Sequence, residues 1–97
     1  MSLRAIVIDG KDNVANLVGA GKKGQEVICD IADKEKISVE LREDIPSNHK
    51  FALMDIRKGQ TITKYGLTVG QASQDIRKGQ YVHVQNVESN RGRGDLA

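Results

Sequence analysis

Tryptophan is absent, proline and cysteine occur once each, and only Phe51, Tyr65 and Tyr81 are aromatic. A single cysteine excludes an internal disulfide, so no covalent staple holds this 97-residue chain. Cys29 lies in an apolar stretch and fits a buried, reduced thiol of a cytoplasmic protein better than a reactive nucleophile. The few aromatics provide too few stacking platforms for nucleic acid, and the charge pattern agrees. Fifteen basic and thirteen acidic residues interleave to a net +2, which describes a solvated mixed surface and no basic face. No apolar run approaches the roughly 18 residues of a membrane span. Residues 3–8 are too short for a secretory leader and contain Arg4, so the expected location is the cytoplasm.

Catalytic motifs are equally scarce. The chain has two histidines, His49 and His83, and lacks HExxH, CxxC, GxSxG and the phosphate-cradling GxxxxGK[ST]. That inventory argues against an autonomous enzyme. A two-His metal site lacks a third obvious ligand, although an Asp or Glu could supply one, and no metal site is assigned to this chain.

What is present is β-branched. Val and Ile number 18 against 6 Leu, a bias that suits a pleated surface better than a helix. Short runs with period-2 alternation fall at 3–8, 14–18, 27–31, 37–41, 51–54, 61–63, 67–69 and 81–84, with turn signals between them. They predict a small all-β domain over residues 1–88, followed by a flexible tail or docking segment at 89–97. Within that tail, Arg93-Gly94-Asp95 is a chance match to an adhesion signal. Proline at position 46 is compatible with a turn of 3₁₀ helix around Asp44-Ile45-Pro46-Ser47. Lys64-Tyr65-Gly66-Leu67 reads as a hairpin with Gly66 at the bend.

The hexapeptide DIRKGQ occurs twice, at 55–60 and 75–80, and a weaker copy, KKGQ, sits at 22–25. Each copy predicts the same corner: two basic residues in solvent and a Gly free to take positive φ before the next strand, with Ile56 and Ile76 pointing inward in the two full copies. If strand 51–54 lies near strand 81–84, then His49 and Lys50 converge with His83 and Asn86. Imidazole, ammonium and amide together suit a carboxylate or polyol ligand.

The ordered series Asp44-Ile45-Pro46, His49-Lys50-Phe51-Ala52-Leu53, Asp55-Ile56 with Gly59, Lys64-Tyr65-Gly66, Val69-Gly70 with Ala72, Asp75-Ile76 with Gly79, and Val82-His83 with Asn86-Val87 resembles the SAF module of altronate and galactarate dehydratases. It is also similar to the small subunit of sulfolactate sulfo-lyases, and Asp12-Asn13-Val14-Ala15 fits the same pattern. The resemblance implies a β-clip fold and a part in dehydrating a sugar acid such as altronate. It further implies a partner, a large catalytic subunit carrying a divalent metal, typically iron, with no cofactor on this chain. By motif position it implies His49, Lys50, His83 and Asn86 as substrate-binding residues, with Tyr65 beside them. The other reading is a non-enzymatic SAF module that binds carbohydrate or protein. One departure stands out: the family often has His-x-His-Asn where this chain has His83-Val84-Gln85-Asn86, and Gln85 cannot shuttle protons near neutral pH.

Overall fold

The computed structural model describes residues 3–89, and among these no helix forms. Nine short strands build three sheets of three. The first sheet contains β1 (Leu3–Val7), β3 (Glu26–Ile31) and β4 (Ile37–Glu40), in the order β1-β3-β4. β2 (Val14–Asn16), β5 (Lys50–Ala52) and β8 (Tyr81–Val82) make the second, and β6 (Thr61–Lys64), β7 (Leu67–Ala72) and β9 (Val87–Glu88) the third. The eight expected strands are all present within a few residues of their predicted ends. The two-residue β9 is additional, because Val87–Glu88 is too short to show a period. Residues 90–97, with most of the expected tail and its Arg93-Gly94-Asp95, lie outside the described residues.

Alternation explains which side chains go inside. In β1, Ala5 and Val7 are buried while Arg4 and Ile6 face solvent; in β4, Val39 is buried between exposed Ser38 and Glu40. The inward side chains form two clusters. One gathers Leu17, Val27, Cys29, Val39, Leu41, Ile45, Phe51 and Leu53; the other gathers Val14, Ala52, Ile56, Ile62, Ala72, Ile76 and Val82. β5 joins them, since Phe51 enters the first and its neighbour Ala52 the second. β1 and β3 pair in parallel, from Leu3↔Val27 to Val7↔Ile31. Such a pairing needs a crossover, here supplied by β2 and the loop after it.

The two copies of the hexapeptide prove to be two of four equivalent corners among the described residues. Residues 20–25, 44–49, 55–60 and 75–80 share one turn whose fifth residue has positive φ: Gly24 at 91°, Asn48 at 64°, Gly59 at 90° and Gly79 at 90°. That residue donates its N–H to the carbonyl of Leu41, Leu17, Ala72 or Ala52 respectively, over 2.8–3.2 Å. The same four residues donate back to the carbonyl of the sixth position: Gln25, His49, Gln60 or Gln80. Corners also pair with each other, Ile56 with Ile76 by two bonds of 2.7 Å, and Gly21 with Ile45 by bonds of 2.9 and 2.8 Å. Aspartates close the pairs, with Asp75 accepting from Lys58 N–H at 2.8 Å, Asp55 from Lys78 N–H at 2.9 Å, and Asp44 from Lys23 N–H at 2.9 Å. The inward Ile56 and Ile76 and the exposed Arg and Lys of the corners match the sequence expectation.

The corner at 44–49 corrects one expectation. No 3₁₀ turn forms at residues 44–47: Ile45 is held in a bridge to Gly21, and the chain turns one step later, with His49 N–H donating to Pro46 O at 3.1 Å. Asn tolerates the positive φ that Gly supplies in the other corners, so Asn48 ends what the proline begins. The hairpin at 64–67 forms as expected: Tyr65 and Gly66 have φ of 56° and 74°, the pair of positive values of a type I′ turn.

Candidate functional site

The second sheet assembles the site. β5 and β8 are antiparallel, with Lys50 opposite Val82 and Phe51 opposite Tyr81. Continuing that register by one residue sets His49 against His83, and their ring centroids are 5.2 Å apart, edge to face. Tyr81 completes the cluster, stacked on His83 at 5.5 Å with an interplanar angle of 8°, and edge-on to His49 at 5.7 Å. The tyrosine packs against the Phe51 cluster, and its N–H donates to Glu43 Oε2 at 3.0 Å, so it forms a fixed floor for the imidazoles.

A local substitution in the repeated corner frees His49 for this role. In the other three corners the sixth residue is Gln, whose Oε1 accepts the N–H of the third residue: Lys22, Arg57 or Arg77. At 44–49 the third residue is Pro46, which has no N–H to satisfy. The sixth side chain is therefore released from capping the turn, and the chain has an imidazole there. His49 Nδ1 lies 3.0 Å from Ser47 O. A carbonyl can only accept, so Nδ1 carries the proton and Nε2 is the acceptor of the neutral ring.

Asn86 acts on the other histidine. It is 4% exposed, its Oδ1 accepts His83 N–H at 3.0 Å, and its Nδ2 donates to Tyr81 O at 2.8 Å. Both polar ends of the amide are thus used to shape the 81–86 loop that presents His83. Lys50 and His83 line one depression of about 270 Å³ together with Ile62, Val69, Val84 and Val87. Tyr65 is placed differently: it tops the β6–β7 hairpin, with Lys64 Nζ 3.4 Å from its ring centroid, and shares no ring contact with the histidines among the described residues. Its backbone is fixed by buried Asp12, whose carboxylate accepts Tyr65 N–H at 2.9 Å and Gly66 N–H at 2.8 Å. Gln85 is exposed and donates to Tyr81 O at 3.4 Å.

Sequence reasoning missed Tyr81 as a member of the cluster. The signal was available, because Tyr81 and His83 are two apart in the run 81–84 read as a strand, and such positions share a face. Among the described residues no group of three or more His, Cys, Asp or Glu side chains is placed to hold a metal ion. Cys29 is buried, and burial pushes its thiol up to about 11, with Asp30 adding to the rise and Lys78 opposing it. It is a core side chain without thiolate chemistry near neutral pH.

Paired corners and three small sheets, with no helix among the described residues, define a small all-β module that carries two imidazoles, a lysine and a tyrosine on and beside β5 and β8. Residues 3–90 match the altronate/galactarate dehydratase SAF domain, and the chain belongs to that family. It is 41% identical over 88 residues to altronate dehydratase of Escherichia coli (strain K12), covering 91% of this chain and 17% of that protein. It is 36% identical over 85 residues to altronate dehydratase of Bacillus subtilis (strain 168), covering 88% of this chain and 16% of that protein. Against (2R)-sulfolactate sulfo-lyase subunit alpha of Chromohalobacter salexigens, identity is 34% over 93 residues, 94% of this chain and 99% of that protein. The chain thus spans about a sixth of each dehydratase and nearly all of the lyase subunit.

Proposed function

We propose that this chain is the small subunit of a two-chain lyase acting on the anion of a sugar acid or related hydroxy acid. The cross-strand His49–His83 pair, 5.2 Å apart, with Lys50 lining the same depression as His83, is the observation that carries the reading. Correspondence with nearly the whole length of a lyase subunit supports it.

In a dehydration of this kind a base removes the proton next to the carboxylate, the C–O bond on the adjacent carbon breaks, and water leaves. This chain's residues have the chemistry to hold the anion while that occurs. Lys50 supplies a positive charge for the carboxylate, and His83 donates or accepts a hydrogen bond from its place over Tyr81. His49 Nε2 accepts from a substrate hydroxyl. Asn86 is a positioning residue that sets the backbone of His83. Tyr65, on the hairpin tip, would reach the substrate only from the side of the site. A divalent metal, which would stabilise the developing charge on the substrate, belongs on this reading to the large subunit. The same reading places the assembly in the cytoplasm, where the Cys29 thiol stays reduced.

Co-expression with the cognate large subunit tests this. The expected result is a stable complex that converts altronate or galactarate, with turnover lost when the small subunit is left out. A large subunit that is fully active alone and does not bind this chain would refute the proposal. Tight binding of sugar acids by the isolated chain, with no partner needed, would instead favour a non-enzymatic carbohydrate-binding module.

A further inference from the structure

The β6–β7 hairpin carries apolar side chains where a solvated strand normally carries polar ones. Leu67 is 68% exposed, Val69 46%, and Val84, in the loop after β8, 81%. Leu67, Thr68 and Val69 are exposed in succession, so the first half of β7 is wetted on both faces and projects from the body. A bulge opposite Ile62 and Thr63 leaves Val69 without a cross-strand partner, and Val69 joins Ile62 in lining the depression. Val69 and Val84, with Ile62 and Val87, wall the depression whose other lining residues are Lys50, His83 and Ser89. Grouped exposed apolar side chains with a polar rim mark interaction surfaces.

A second apolar group, Ile6, Ile8 and Val18, is also exposed. The hairpin face differs from it in being continuous with the proposed site, because Lys50 and His83 line the same depression. In the two altronate dehydratases the matched segment is 17% and 16% of the protein, so a body about five times its size accompanies it.

We infer that Leu67, Val69 and Val84 form the surface on which the large lyase subunit docks, closing the depression over His83 and Lys50. The inference rests on the function proposed above. The partner surface it requires is apolar, and it leaves the Lys50 ammonium to the substrate anion.

The full chain is titrated with the large subunit used in the reconstitution, as wild type and as the Val69→Glu, Val84→Glu and Ile6→Glu variants, with thermal midpoints measured in parallel. Val69→Glu and Val84→Glu are expected to weaken the complex more than tenfold with melting nearly unchanged, and Ile6→Glu to leave affinity unchanged. Hydrogen exchange on the wild-type complex, which needs no variant, should show protection at 62–69 and 83–89. Protection at 4–8 and 18, with loss of affinity only in Ile6→Glu, would overturn the docking face and leave the function standing. No complex with the wild-type chain would overturn both. Self-association of the isolated chain that Val84→Glu abolishes would assign the face to a second copy and overturn the inference.

Discussion

Gly59 and Gly79 occupy the same place in identical hexapeptides and have the same φ, 90°. Their surroundings differ. A Cβ added at Gly59 meets nothing within 4 Å, whereas one at Gly79 runs into the Glu40 carbonyl oxygen and lies 3.3 Å from Arg42 N. Gly59→Ala therefore costs only the strain of an L-residue at positive φ, about 1–2 kcal/mol. Gly79→Ala adds overpacking against backbone, about 1–3 kcal/mol. It also disturbs the 2.9 Å bond from Arg42 N–H to Gly79 O, at a cost of about 1 kcal/mol. The second substitution should thus exceed the first by about 2–4 kcal/mol. Gly24, with φ of 91° and open space around it, is a second control that should behave like Gly59. Urea unfolding followed by far-ultraviolet circular dichroism measures all three, and each kcal/mol lowers the melting temperature by about 4–8 °C in a domain of this size. Equal losses for Gly59→Ala and Gly79→Ala, within about 0.5 kcal/mol, would refute the steric reasoning.

Further outcomes test the site and the core. Asn86→Ala removes the bonds to His83 N–H and Tyr81 O and should lower stability by about 2–4 kcal/mol, read from the same urea curves. His83→Ala, whose ring lies at the surface edge of the cluster, should keep the fold and lower turnover of the assembled enzyme more than tenfold. Wild-type turnover in that variant would give His83 a purely structural role. For Cys29 the folded pKa, about 11, lies above the ordinary value of 9.0, so the native state holds the proton more tightly than the unfolded chain. Its contribution is full below pH 9 and is lost as pH rises through 11, amounting to roughly 3 kcal/mol at the upper limit. Cys29→Ala should accordingly show a shallower alkaline loss of stability than wild type, and native Cys29 should resist iodoacetamide at pH 8 until urea unfolds the chain.

Much of this was legible in the amino-acid order because it is local. Period-2 alternation marks the strands, the Val and Ile bias favours a pleated surface over a helix, and Gly59 and Gly79 announce their corners, since each depends on a few neighbouring residues. The ordered series from Asp44 to Val87 was enough to place the chain in its family. Partnership between strands is not local. Alternation is blind to direction, so nothing in residues 3–7 or 26–31 foretells the parallel pairing of β1 with β3. Pro46 suggested a 3₁₀ turn, and only the bridge from Ile45 to Gly21 reveals residues 44–49 as a fourth corner in which proline releases His49 from capping duty. The convergence of His49 and His83, 34 positions apart, depended on β5 lying against β8. The same division separates Gly59 from Gly79. Sequence gives both the same turn, and tertiary packing alone places the Glu40 carbonyl against one of them, because contact across the fold is set by which segments meet and not by which residues are adjacent.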